Sequence, residues 1–335
     1  MSRKLRLGVI GAGLKAAEYA ASWARMPEIE FVALADTTPS SRQRLIDVCI
    51  AAGAPAPRSF DDCREMLASC RGELDIVYVS TPHAFHGEQA TAVAEAGLDL
   101  FLEKPMVTTV AEAERLIAAQ KKSGVTIVTA FQGGLSPLVI DTRKRALANE
   151  FGDLIAISGM IWESWSSNYD GHWKQQPEIS GGGFMFDTGA HMMNTVCLLA
   201  NSDFESVSAY MNNHGKKVDI ATAVSARLKN GALATLTAAG EGPPGCASYI
   251  TFFYSRAIVR IDAWGGWREI SVGRTSKPRE EAEILDNPMK NFLAIRAGTM
   301  ENTGSVEMGL RFARLWDAIK ESAAADGMPV RIAAP

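Results

Sequence analysis

The chain has 335 residues, which is enough for two domains of ordinary size. It is 47% hydrophobic and 21% charged with a formal net charge of −4. It therefore lacks the basic excess that is typical of proteins that bind nucleic acid or an anionic membrane surface. No apolar stretch is long enough to span a bilayer. Five cysteines without C-x-x-C spacing indicate reduced thiols, and we expect a cytoplasmic protein.

The start of the chain carries the pattern of a dinucleotide-binding unit. Residues 5–10 predict a buried strand, and residues 14–25 predict a helix. Between them, Gly11, Gly13 and Ala16 match the fingerprint G-x-G-x-x-A. Gly11 would make the tight turn, and Gly13 would let backbone N–H groups approach a pyrophosphate at the start of the helix. We therefore expect Gly11, Gly13 and Leu14 to contact a cofactor.

A second predicted strand, residues 31–35, ends in Asp36, which lies 20 residues after Ala16. This spacing is expected for the acid that binds the adenine ribose. The carboxylate would repel a 2′-phosphate by about 4 kcal/mol at close range in a half-hydrated site. NAD is therefore the expected cofactor. Arg42 and Arg44 on the next predicted helix keep NADP as the less favoured alternative.

Strand and helix signals continue to alternate up to residue 130, which predicts a doubly wound parallel sheet. Glu103-Lys104-Pro105 directly follows one of these strands, at the sheet edge where open α/β folds bind ligands. An isolated Glu-Lys pair would favour a solvated salt bridge, but beside a dinucleotide fingerprint we expect Lys104 to reach a ligand. The predicted helices are 40–52, 84–96 and 110–123, and the predicted strands are 75–80, 98–102 and 125–130.

From residue 131 the pattern changes to runs of period-two alternation, which predict a large, open, mostly antiparallel sheet. We therefore predict an α/β protein with a Rossmann domain over 1–130 and an α+β domain for substrate binding and oligomerisation over 131–335. Residues 242–245 predict a loop. The predicted strands are 153–163, 207–210, 221–228, 232–239 and 249–261, and the predicted helices are 137–150, 184–200 and 306–323.

Four motifs give the chain a resemblance to the Gfo/Idh/MocA oxidoreductase family over nearly its whole length. They are Gly11-Ala12-Gly13, Ser80-Thr81-Pro82 with His86, Glu103-Lys104-Pro105, and Gly181-Gly182-Gly183 followed by Asp187-Thr188-Gly189-Ala190-His191. The resemblance implies a Rossmann domain followed by a domain with a large open sheet. It also implies a bound nicotinamide cofactor and dimers or tetramers joined through those sheets. Lys104 and His191 would be the catalytic pair, with Asp187 in support.

Two departures from the family pattern concern positions that normally face substrate. Inositol-type members usually carry an arginine shortly after the last Rossmann strand, where this chain has Gln132-Gly133-Gly134. The helix motif usually continues to an aspartate three residues after the histidine, where this chain has Asn194. The resemblance therefore implies the reaction type but not an inositol substrate, and we expect Gln132 and Asn194 to contact substrate.

Asp187 and His191 lie four residues apart on a predicted helix and would share one face. A carboxylate beside an imidazole favours its protonated form, which makes His191 a candidate acid or base near neutral pH. The alternative is that Asp187 caps the helix and His191 is a packed core residue. The triple glycine ahead of this pair would let backbone approach substrate or nicotinamide, or would form a flexible loop.

The aromatic residues before the triple glycine predict a sugar-binding loop, because sugars present apolar C–H faces that stack on rings. We expect Trp162, His172 and Trp173 to contact substrate; the alternative is packing in the core or at a subunit interface. His83 and His86 lack a third ligand nearby in sequence, so no metal site is predicted. Besides the residues around the glycine turn, the expected cofactor contacts are Ser80, Thr81, Pro82, His86, Glu103 and Lys104.

Three functions are compatible with these features. The favoured hypothesis is an NAD-dependent dehydrogenase of a sugar, an inositol or a related polyhydroxy compound. The second is a glycoside-cleaving enzyme that oxidises the sugar transiently, eliminates the aglycone and reduces the ring again. The third, a non-catalytic sensor of NAD and sugar, is disfavoured because Lys104, Asp187 and His191 are all present.

Overall fold

The computed structural model describes residues 3–273, 275–282 and 287–332. The chain forms two compact units, Met1–Ala130 with Asn287–Val306, and Phe131–Asp286 with Glu307–Pro335. The predicted second domain, 131–335, is corrected in one respect, because the segment Asn287–Val306 belongs to the first unit. Among the described helices, none combines the length and the apolar character that crossing a bilayer requires.

The first unit is built on a parallel sheet with six described strands in the order β3-β2-β1-β4-β5-β6. This is the strand order of a Rossmann fold, with its ligand crevice at the β1/β4 switch point. The short elements β3 and α3 are not predicted from the sequence. The elements are β1 (Leu5–Ile10), α1 (Leu14–Trp23), β2 (Ile29–Ala35), α2 (Pro39–Ala51), β3 (Arg58–Phe60), α3 (Cys63–Ser69), β4 (Ile76–Val79), α4 (His86–Glu95), β5 (Asp99–Leu102), α5 (Val110–Ser123) and β6 (Ile127–Thr129).

The second unit is built on a mixed sheet whose described strands run β14-β13-β12-β11-β7-β10-β9-β8-β16, with β15 beside β13. Among the described strands of this second sheet, only β7 and β10 pair in parallel, so the predicted mostly antiparallel sheet and the predicted fold class are confirmed. Its strands are β7 (Leu154–Glu163), β8 (Phe204–Asn212), β9 (Ala221–Leu228), β10 (Leu233–Ala239), β11 (Cys246–Tyr254), β12 (Ala257–Ile261), β13 (Trp267–Val272), β14 (Thr275–Ser276), β15 (Glu280–Glu281) and β16 (Val330–Arg331).

The remaining helices are α6 (Gln132–Leu135), α7 (Pro137–Leu147), α8 (Trp165–Asn168), α9 (Pro177–Ser180), α10 (Phe184–Asp187), α11 (Gly189–Ala200), α12 (Pro288–Arg296) and α13 (Val306–Ala324). All of them except α12 lie wholly or mainly in the second unit.

The segment that contains α12 packs on the β5–β6 side of the parallel sheet. The ring of Phe292 packs against that of Phe101 of β5, with centroids 5.3 Å apart and an interplanar angle of 39°. Asn302 Nδ2 donates to the Ile127 carbonyl at 2.8 Å, and Thr129 N donates to the Gly304 carbonyl at 2.8 Å. The returning chain therefore satisfies backbone groups of the edge strand β6, which would otherwise be open to pairing with another chain.

One face of the second sheet packs on helices, and the other face is open. In β7, Ile157, Gly159 and Ile161 are buried, and a Cβ on Gly159 would lie 3.0 Å from Met192 of α11. The alternate residues of the sheet face outward, because side chains alternate along a strand. Apolar side chains between 37% and 60% exposed lie on this open face: Met160, Tyr210, Leu233, Tyr249, Phe253 and Ile258.

Candidate functional site

The turn between β1 and α1 has the shape of a phosphate cradle. Gly11 has a φ of +90°, and a Cβ there would lie 2.5 Å from the Ser80 carbonyl oxygen. Glycine is therefore required where these two loops approach each other. A Cβ at Gly13 would meet no atom within 4 Å, and Leu14 beside it is 78% exposed. The open space at the first turn of α1 fits the pyrophosphate of a dinucleotide, because a helix N-terminus favours negative charge.

The carboxylate of Asp36 fixes this turn from the end of β2. Its Oδ2 accepts a hydrogen bond from Ala12 N at 2.7 Å, and its Oδ1 accepts one from Thr38 N at 2.7 Å. Each oxygen can accept a second bond, so the ribose hydroxyls can still bind. Arg42 Nη1 donates to the Asp36 carbonyl at 2.5 Å, which keeps a positive charge beside the same ribose position.

His86 joins two loops of the candidate cofactor site but is itself fully buried. Its Nδ1 lies 2.8 Å from the Pro105 carbonyl, and its Nε2 lies 2.8 Å from the Thr81 carbonyl. Burial lowers the pKa of His86, although both carbonyls oppose this by favouring the protonated ring. The predicted cofactor contact of His86 is wrong, because a ring with no exposed surface holds the two loops together instead. Ser80, Thr81 and Pro82 are half-buried at the end of β4.

Glu103 and Lys104 follow β5, and a buried tyrosine holds the glutamate. The Tyr78 hydroxyl donates to Glu103 Oε1 at 2.8 Å, and Lys104 N donates to Glu103 Oε2 at 3.3 Å. Burial raises the pKa of Tyr78 well above its usual value, and the negative charge of Glu103 adds to this. Tyr78 therefore stays a hydrogen-bond donor at any physiological pH. Sequence reasoning missed this residue, since a tyrosine inside a strand gives no sign of its hydroxyl partner.

In the second unit, the predicted helix over 184–200 is interrupted between Asp187 and His191. The helix α10 ends at Asp187 and α11 begins at Gly189, yet Thr188 keeps helical dihedral angles (φ −82°, ψ −38°). His191 N donates to the Thr188 carbonyl at 3.1 Å, which is the hydrogen-bond pattern of a 3₁₀ turn. Asp187 and His191 are 1% and 7% exposed, so both are positioned in a largely buried environment.

Asp187 is held by two donors from the preceding loop. Trp165 Nε1 and Lys174 Nζ each donate to Oδ2 of Asp187 at 2.8 Å. The Lys174 ammonium also lies 4.2 Å from the ring centroid of Tyr169. Burial alone would lower the pKa of Lys174, but the charge of Asp187 raises it above its usual value. Lys174 is therefore a charged partner of Asp187 that sequence reasoning missed.

The triple glycine packs against the protein itself. A Cβ on Gly182 would lie 2.5 Å from Trp316, and a Cβ on Gly183 would lie 2.0 Å from the Asp219 carbonyl oxygen. The Asp219 carboxylate accepts from Gly183 N at 2.7 Å and from Met185 N at 3.0 Å. These contacts account for two of the glycines by internal packing. Asp219 thereby anchors the start of α10, which carries Asp187.

The structure corrects the expected role of Trp162. Trp162 is in register with Ala239 and Ala247 on the open face of the sheet. Glu163 points to the opposite, helix-covered face, where its Oε2 accepts from the Thr188 hydroxyl at 2.9 Å. Trp162 therefore does not share a face with Asp187 and His191, because alternate residues of a strand point to opposite sides.

The other expected substrate contacts stay predictions. His172 is exposed, and its ring lies 5.4 Å from that of the half-buried Trp173. Partial burial of its ring and the nearby charge of Lys174 lower the pKa of His172. Gln132 is half-buried at the start of α6. Asn194 is 2% exposed, and its Nδ2 has no hydrogen-bond partner within the described ranges, so it can donate to a ligand.

Two family profiles match the chain. Residues 5–131 match the profile described as oxidoreductase family, NAD-binding Rossmann fold, and residues 140–260 match the GFO/IDH/MocA C-terminal domain. Levoglucosan dehydrogenase of Pseudarthrobacter phenanthrenivorans is 26% identical over 63% of this chain and 54% of its own length. A glycosyl hydrolase family 109 protein of Shewanella pealeana is 24% identical over 66% of this chain and 48% of its own.

The chain thus spans about half the length of the curated relatives it matches. Among solved structures, levoglucosan dehydrogenase in complex with NADH and L-sorbose has a TM-score of 0.84. It is 21% identical, with 98% of this chain and 99% of that chain covered, a likeness that bears on the fold alone. The two profiles together cover most of the chain, including both units. The chain therefore belongs to the Gfo/Idh/MocA oxidoreductase family and has an NAD-binding Rossmann domain.

Proposed function

We propose that this chain is an NAD-dependent dehydrogenase that oxidises a secondary hydroxyl group of a sugar, an inositol or a related polyhydroxy compound. The observation that carries the proposal is the buried Asp187, bound by Lys174 and Trp165 one helical turn before His191, in a chain with an NAD-binding domain. The relative named levoglucosan dehydrogenase supports a carbohydrate substrate.

Oxidation of an alcohol requires a base for the hydroxyl proton and an acceptor for the hydride. When bound, NAD supplies the hydride acceptor. In the proposed reaction His191 accepts the hydroxyl proton, and Lys104 donates a hydrogen bond that stabilises negative charge on the reacting oxygen. Lys174 and Trp165 fix the Asp187 carboxylate, and a carboxylate near an imidazole favours the protonated form of the imidazole. Asn194 Nδ2 supplies a donor for a second substrate hydroxyl.

The test is a screen of the purified protein for NADH formation with sugars, inositols, sugar acids and glycosides. On the best substrate, His191→Ala should lower kcat by about 10²–10⁴-fold, and Lys104→Ala should lower it at least as much. Both variants should still melt cooperatively and bind NADH, as measured by its fluorescence. The mechanism is wrong if both variants keep more than about a tenth of the wild-type kcat.

A glycoside-cleaving activity is the second candidate, favoured by the relative named as a glycosyl hydrolase family 109 protein. Such a reaction returns the hydride to the sugar, so it releases an aglycone without net NADH. Aryl glycosides in the same screen separate the two functions. Release of the aryl group with no NADH would support cleavage, and NADH with an intact glycoside would support the dehydrogenase.

We also propose that the open face of the second sheet joins copies of the chain into a homodimer or homotetramer. Met160 and Tyr249 lie directly opposite each other on neighbouring strands and are 42% and 54% exposed. Large apolar side chains that are exposed on a sheet face favour burial against a partner. Met160→Lys with Tyr249→Lys should give a monomer by light scattering after size-exclusion chromatography. An unchanged mass would exclude this face as the interface.

A further inference from the structure

A tryptophan that sequence reasoning missed lies beside His191. Trp264 belongs to the loop between β12 and β13, and its ring centroid lies 5.7 Å from that of His191 at an interplanar angle of 43°. Phe131 lies on the same imidazole at 6.1 Å and 88°. Phe131 is 3% exposed, whereas Trp264 is half-buried and keeps accessible ring surface. Trp264 is therefore an aromatic residue beside His191 that a ligand can still reach.

The backbone before Trp264 is fixed by buried side chains. Ala263 N donates to Ser248 Oγ at 2.7 Å, and the Ala263 carbonyl accepts from Thr195 Oγ1 at 2.9 Å. Thr195 lies on α11, the helix of His191, so one hydrogen bond ties that helix to the tryptophan loop. A Cβ on Gly133 would lie 2.2 Å from the same carbonyl oxygen, so the backbone at Gly133 packs closely against the tryptophan loop.

The backbone after Trp264 is fixed as well. Gly265 has a φ of +73°, and a Cβ there would lie 2.3 Å from the Ser136 side chain. Ser136 Oγ donates to the Gly265 carbonyl at 2.7 Å, and Gly266 N donates to Asp262 Oδ1 at 2.8 Å. The loop is therefore rigid on both sides of one partly exposed indole ring.

We propose that Trp264 is the residue that stacks on the substrate and that it selects cyclic substrates. An indole face offers a flat apolar surface to the C–H face of a sugar or cyclitol ring, while a hydroxyl group of that ring faces His191. A preformed loop lowers the entropy lost on binding, which favours a rigid ring over an open-chain polyol. The inference rests on the proposed function and gives Trp264 the stacking role that the sequence suggested for Trp162.

The test compares Trp264→Leu and Trp264→Phe with the matched control Trp267→Leu. Trp267 comes from the same hairpin but lies on the open face, with its ring 6.1 Å from that of Tyr249. For the best cyclic substrate, Trp264→Leu should raise KM about tenfold with a smaller change in kcat. Trp264→Phe and Trp267→Leu should change KM less than threefold, and NADH affinity should stay constant throughout.

Cooperative melting is checked for each variant, and Trp264→Met serves as a second ringless variant. The proposal is overturned if a folded ringless variant keeps the wild-type KM and still prefers cyclic over linear polyols. Titration calorimetry measures the binding of levoglucosan and of myo-inositol to the NADH complex. It separates a failure of the Trp264 proposal from a failure of the proposed function. If the wild type binds either sugar through Trp264 but oxidises nothing in the screen, only the proposed function fails. A wild type that neither binds nor oxidises any compound of the screen refutes both.

Discussion

Replacing Lys174 by methionine leaves the Asp187 carboxylate as a buried charge without its cationic partner. The side chains of Lys174 and Asp187 are 20% and 2% exposed, so water can replace little of the lost interaction. Loss of one partner from a buried pair costs about 3–5 kcal/mol, and we expect about 3 kcal/mol because the Trp165 donor remains. For a unit of this size, that corresponds to a Tm lower by roughly 6–12 °C.

Differential scanning calorimetry is the suitable assay, because it can resolve separate transitions of the two units. Lys216→Met is the matched control, since Lys216 pairs with Asp170 at 2.7 Å but the aspartate side chain is 71% exposed. Such a surface pair contributes less than about 1 kcal/mol. Adding Asp187→Asn to Lys174→Met should recover at least half of the lost Tm. If Lys174→Met lowers the Tm no more than Lys216→Met does, the buried ion pair is not what stabilises this loop.

Three further predictions concern other parts of the chain. Asp36→Ala should lower the preference for NAD, measured as kcat/KM for NAD divided by kcat/KM for NADP, at least tenfold, because it removes repulsion of a 2′-phosphate. An unchanged ratio would contradict the role of Asp36 in selecting NAD. Gly183→Ala should destabilise the protein by about 1–3 kcal/mol in urea unfolding, because its Cβ would overlap the Asp219 carbonyl, whereas Gly242→Ala, with its nearest atom at 3.5 Å, should cost little. The pKa of Asp75 would be raised by burial, but hydrogen bonds from Arg6 and Arg3 hold it well below its usual value. Asp75→Asn should therefore lower the free energy of unfolding by about 2 kcal/mol at pH 7, and this difference should shrink as the pH falls below about 4, where the unfolded carboxyl takes up a proton. A difference that stays constant down to pH 2 would exclude an ionised Asp75 as its source.

Local sequence signals predict most elements of the first unit, although not β3, α3 or α12, because several of these elements have clear start and stop residues. The helix α5 was predicted at its observed bounds, since Thr109 and Glu112 form a capping box and Gly124 ends the helix with a φ of +74°. The second sheet was predicted less accurately. The predicted strand 249–261 is two strands, because alternation continues through the short turn at Ser255 and Arg256 and hides it.

The candidate site depends on contacts that single-sequence patterns do not record. Lys174 belongs to no motif, and its partner Asp187 is 13 residues away. Asp219 reaches Gly183 across 36 residues, so the reason for that glycine could not be read from the glycine motif. The sequence does contain a signal for Trp264, because Asp262-Ala263-Trp264-Gly265-Gly266 has the composition of a tight turn with an aromatic residue at its centre.

The return of Asn287–Val306 to the first unit has a consequence for synthesis on the ribosome. The edge strand β6 is complete once residue 129 has been made, but its partners Asn302 and Gly304 emerge more than 170 residues later. At about 5–20 residues per second, β6 stays uncovered for roughly 10–35 s. A nascent Rossmann sheet thus keeps an open edge while every described strand of the second sheet except β16 is translated. A fragment that ends at residue 130 would keep that edge permanently, and we expect it to aggregate unless residues 287–306 are supplied.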